Sequence, residues 1–241
     1  MKTRKLQRYK KGSLFNETGP PNQCQCGIEC NRPALAKEAF CKAHINQCPR
    51  FSPMSGWEPE YDPKLWNSRM AFRETHNCFS YAMNVFDKKQ VYKCKHTNNC
   101  NVGLHQPGYS SGYNGFTNSE PKTCPNMIAR IFGDNPSIQM TDFATKCPAG
   151  YSKAAVIIDA SDDYHFLRQD SSGYWSHKPG SNRVKNVDAF GHKICDPKLA
   201  NYNYQQAKKG ILNYDIFCSY LCVPRNRPLY LSSQRRATRR L

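Results

Sequence analysis

The chain has 241 residues, 39% of them hydrophobic, which is enough to bury a real core and excludes a disordered protein. Its formal net charge is +17, and twelve basic residues sit in two spans without an acid. These are Lys2, Arg4, Lys5, Arg8, Lys10 and Lys11 at the start and Arg225, Arg227, Arg235, Arg236, Arg239 and Arg240 at the end, leaving a body of about +5, ordinary for such a domain.

Residues 1–22 form a basic arm. Such an arm attracts polyanions through counterion release, so nucleic acid, an anionic surface or neighbouring assembly proteins are the expected partners. The opening MKTRKLQRYKKGSLF lacks the apolar run of a secretory signal, and no later run is long enough to span a bilayer. The expectation is a protein that is not secreted by a signal peptide. In such a setting the thirteen cysteines stay reduced, and clustered ones are metal ligands more often than disulfides.

Residues 23–48, with the knot 24-CQCGIECNRPALAKEAFCKAHINQC-48, read as a structural zinc module. Cys26, Cys30, Cys41 and His44 supply three thiolates and an imidazole, the set a tetrahedral zinc ion wants, with Cys24 competing for the first position. Four protein ligands leave no open coordination site, so the role would be structural.

Residues 49–67 carry four prolines and read as an extended strap on the surface of a domain spanning 49–224. The segment 70–87 shows helical spacing in its later part, with Asn77 as N-cap and Cys78 in the first turn. Residues 94–121 read as a polar loop, in which Cys94, His96, Cys100 and His105 form a weaker second metal candidate. A short helix is expected near 124–132. KAAVIID from 153 reads as a buried strand, YHFLRQD and GYWSHKP as a hairpin, and FCSYLCVP at 217–224 as the last strand. An arginine-rich tail, 225–241, closes the chain. One main helix and a meander of strands imply an α+β fold with an antiparallel sheet.

Cys78 at a helix start is a candidate nucleophile if a base and an orienting group lie within reach. His165 and His177 are the candidates. A three-residue hairpin loop, Ser171 to Gly173, pairs Asp170 with Tyr174 and puts both histidines on one face, whereas a two-residue loop separates them.

A cysteine opening a helix in 76-HNCFSYAMN-84, His165 on a later strand and His177 a dozen positions on resemble the NlpC-type branch of the papain-like cysteine peptidases. That resemblance implies Cys78 as nucleophile, His165 as general base and His177 as its orienting residue, in a hydrolase of peptide, isopeptide or cell-wall amide bonds. The segment 106-QPG-108 resembles the family's turn into a core strand. The run from SPMSGWEPEYDPKLWN through DDYHFLRQDSSGYWSHKPG is similar to proteins of large icosahedral DNA viruses, which implies a virion or host-cytoplasm setting. The competing expectation is a non-catalytic structural protein of the particle, a minor capsid or core component whose basic arms hold its partners.

Overall fold

A computed structural model describes residue 33 and residues 51–97, 100, 103–116 and 121–232. The segment expected to form a zinc module and both basic arms, apart from Pro33 and the first residues of the tail, lie outside them.

The chain is α+β. Five strands form one antiparallel sheet: β1 (Gln139–Thr141), β2 (Tyr151–Ile158), β3 (Tyr164–Gln169), β4 (Trp175–His177) and β5 (Ile216–Pro224), in the order β1-β5-β2-β3-β4. Every residue of β2, β3 and β4 is buried, which explains why KAAVIID is apolar without alternation: both faces of the central strands are covered. The hairpin closes through the three-residue loop. Asp170 and Tyr174 are joined by Asp170 N–H to Tyr174 O at 2.8 Å, and Gly173 takes φ +87°.

The helices are more numerous and shorter than a single main helix. They are α1 (Pro63–Asn67), α2 (Met70–Glu74), α3 (Cys78–Ala82), α4 (Lys88–Thr97) and α5 (Cys124–Asp134). The strap at 49–67 is thus not extended throughout. Asp62 caps α1 by accepting from Leu65 N at 2.9 Å, and Pro63 at the first turn needs no N–H partner there. The helical stretch expected over 70–87 is broken at Thr75–Asn77, where Asn77 and Ser80 form a capping box, and it ends at Asn84 with φ +56°. The first four residues of the loop expected from Cys94 are helical, because α4 runs to Thr97.

The two sheet faces are covered differently. One carries Ala154, Val156, Ile158, Phe166 and Leu221 against Phe79, Ala82 and Met83 of α3 and Met127 and Ile131 of α5. The other carries Ala155, Ile157, Leu167, Trp175 and Tyr220, packed against Ile194, Tyr202 and Tyr214 from the irregular return between β4 and β5.

Among the described residues three disulfides tie this frame. Cys124–Cys218 joins the start of α5 to β5, Cys147–Cys222 joins the loop before β2 to β5, and Cys94–Cys100 closes the end of α4. Cys195 is disulfide-bonded as well. Cys94 and Cys100 are therefore not zinc ligands. The premise that this chain's thiols stay reduced, which favoured metal over disulfide, does not hold.

Candidate functional site

Asn77 sets the position of Cys78. Its side-chain oxygen accepts from Ser80 N at 3.1 Å, its own N–H donates to Ser80 Oγ at 3.0 Å, and its Nδ2 donates to His105 O at 2.7 Å. Cys78 is the one free cysteine among the described residues, and it is buried, 6% exposed. Burial pushes its thiol up to about 12, Asp163 adds to the rise, and the backbone N–H of Phe166 only partly offsets it. A nucleophilic cysteine needs the opposite shift, so this thiol stays protonated at neutral pH.

His165 and His177 lie together on one face. His165 Nε2 and His177 Nδ1 are 2.7 Å apart, and His177 Nε2 lies 2.9 Å from Val187 O. A carbonyl accepts only, so His177 carries its proton on Nε2, and His165 Nε2–H donates to His177 Nδ1. The pair is thus a chain of two neutral rings running to the backbone. Burial lowers His165 well below the ordinary histidine range and His177 to about 4.

The strand pleat decides whether this pair meets Cys78. His165 is paired with Ile157, and His177 with Leu167, so both histidines share the face covered by Tyr202 and Tyr214. Phe166 and Tyr164 alternate with His165 and point the other way, into the layer that holds Cys78 and Phe79. His165 itself rests beside Tyr214, with ring centroids 5.3 Å apart. The sequence brings the two histidines together and leaves the thiol in the opposite layer.

Besides Asp163, the charged group that acts on the thiol is Lys178, which sequence reasoning missed. Its ammonium donates to Arg73 O at 2.5 Å and Gly180 O at 2.8 Å, and burial lowers it to about 7. The segment 106–108 does not enter a core strand. It turns at Gly108, whose N–H donates to Asp134 at the end of α5, at 2.6 Å. His105, from the second metal candidate, meets Asp87 at 3.2 Å, and His96 stacks on Tyr92. Among the described residues no group of three or more His, Cys, Asp or Glu is placed to hold a metal ion. Cys24, Cys26, Cys30, Cys41 and His44 lie outside the described residues. No helix among the described residues is long and apolar enough to cross a membrane.

Sheet, disulfides and burial together define a disulfide-tied α+β domain. No family model matches the chain, and no solved structure matches it. Over 141 residues it is 30% identical to insoluble matrix shell protein 1 of Ruditapes philippinarum, a stretch covering 58% of this chain and 80% of that protein. The chain belongs to the family of that shell matrix protein.

This membership overturns the NlpC-type and papain-like resemblance, and with it the large-DNA-virus setting. The Cys-His hydrolase reading of Cys78, His165 and His177 falls too, in agreement with a protonated thiol and a histidine pair in the opposite layer. The virion or host-cytoplasm placement is likewise corrected, since three disulfides belong to an oxidising compartment.

Proposed function

We propose that this chain is a secreted, non-catalytic structural protein of an insoluble extracellular matrix, held there by its disulfide-tied domain and its basic arms. The observation that carries the reading is the 30% identity that spans 80% of a protein named for an insoluble shell matrix. The disulfides support it, because they form and persist where glutathione does not reduce them.

The arms give the domain its adhesive chemistry. Of the twelve basic residues, Arg225 is bound to Ser152 Oγ and Ala82 O of the domain; the other eleven neutralise a polyanion without reading its sequence, so acidic matrix polymers are suitable partners. The buried histidine pair serves packing: each ring satisfies the other's nitrogen inside an aromatic layer.

Immunolocalisation in the producing tissue tests this. The expected result is signal confined to the secretory path and the extracellular matrix; signal in the cytosol overturns the proposal.

A further inference from the structure

The ten-residue helix α4 has a buried side made of Val91 and Cys94, packed with Ala71, Phe72 and Cys100. Lys88, Lys89, Tyr92, Lys93, Lys95 and His96 are exposed. At 100° per residue these six fall in one arc of about 160°, and Lys88 to Lys95 spans about 10 Å along the axis.

Helix stability explains only the C-terminal part of this pattern. Lys95 and His96 in the last turn suit the negative end of its dipole, and Asp87 caps the start by accepting from Gln90 N at 2.9 Å, but Lys88 and Lys89 place two cations at the positive end. Lys89 and Lys93 add a like-charge pair at i,i+4. Among the described residues, none of the four lysines forms an ion pair. Lys88, Lys89 and Lys93 are thus cations without an ion-pair partner that the stability of their own helix does not call for.

The face is also held in shape. Cys94–Cys100 fastens the last turn, and Lys95 Nζ rests 5.8 Å from the Phe72 ring centroid. Tyr92, 64% exposed, is stacked on His96 with centroids 3.9 Å apart, so a planar ring stands fixed between the ammonium groups.

We propose that this face of α4 binds a sulfated or carboxylated polysaccharide, the lysines meeting its anionic groups and the Tyr92 ring lying against a sugar ring. Polysaccharide is preferred over nucleic acid on the strength of the extracellular reading above. The binding surface itself stands on charge and geometry alone.

Titration of the full chain with heparin and with polyglutamate, each at several salt concentrations, tests the proposal. Replacing Lys88, Lys89, Lys93 and Lys95 together by Gln lowers heparin affinity tenfold or more. It also reduces the slope of log affinity against log salt by about 3, on the order of 0.7 per charge. An affinity within twofold of wild type overturns the site and assigns binding to the arms, which the variant Arg235→Gln/Arg236→Gln/Arg239→Gln/Arg240→Gln reads separately. Tyr92→Ala weakens heparin binding threefold or more and leaves polyglutamate binding unchanged; equal effects on both overturn the polysaccharide assignment. A thermal midpoint at or above wild type shows that the lysine variant folds. These outcomes do not depend on where the protein resides, so failed matrix localisation and a failed α4 site are distinguishable.

Discussion

Removing the Cys124–Cys218 disulfide, by Cys124→Ala/Cys218→Ala, measures how far cross-linking supports the domain. With Cys147–Cys222 intact, the loop that the bond closes runs from Cys124 to Cys147, crosses to Cys222 and returns to Cys218, about 29 residues in place of the 94-residue separation along the chain. Chain entropy for a loop of that length amounts to about 3.5 kcal/mol. At roughly 2–4 °C per kcal/mol for a domain of this size, the midpoint falls by about 7–14 °C. Calorimetry or circular dichroism at neutral pH without reductant reads it. A drop below 2 °C refutes the reasoning, since α5 and β5 would then be held by packing alone.

Three further outcomes follow from particular residues. Cys78 in the native chain reacts with iodoacetamide at pH 7.5 at least a hundredfold more slowly than in the unfolded chain, because burial holds its thiol near 12; peptide mass spectrometry after timed quenching checks this. His177, lowered from 6.5 to about 4, binds a proton in the unfolded state before it does so in the folded one. Its contribution is therefore complete above pH 6.5 and is lost as pH falls through 6.5 toward 4, by up to about 3 kcal/mol. Urea titrations from pH 4 to 7 show that slope, to which the other buried histidines, His76, His105 and His165, add, and His177→Gln reduces it. Gly173→Ala forces a Cβ into a backbone at φ +87° and to 2.9 Å from Phe51 Cγ, and destabilises by about 1–2 kcal/mol in the same urea titration.

The strands were legible because their signals are local. Ser171-Ser172-Gly173 specifies a three-residue turn, that turn fixes the register, and the register puts His165 and His177 on one face. What lay beyond the sequence was relational. Whether His165 faces Cys78 depends on which side of β3 receives α3, and two residues of the same strand, His165 and Phe166, point into different layers. Asn77 marked the start of α3 as its N-cap, whereas the end of that helix before Asn84 left no proline or glycine to mark it. β1 is three residues long and half-open, with Met140 58% exposed, so it carries no apolar pattern. The disulfides were missed for another reason. Partners 94 and 75 residues apart have no spacing rule, and an opening without an apolar signal run points to a reducing compartment.

The measurement that tests the account most directly is mass spectrometry of the insoluble extracellular residue of the producing tissue, alkylated before any reduction. The account predicts that the chain is recovered in that residue, with Cys124 linked to Cys218 and Cys147 to Cys222. Recovery in the soluble cytosolic fraction, with those four thiols alkylated, contradicts it.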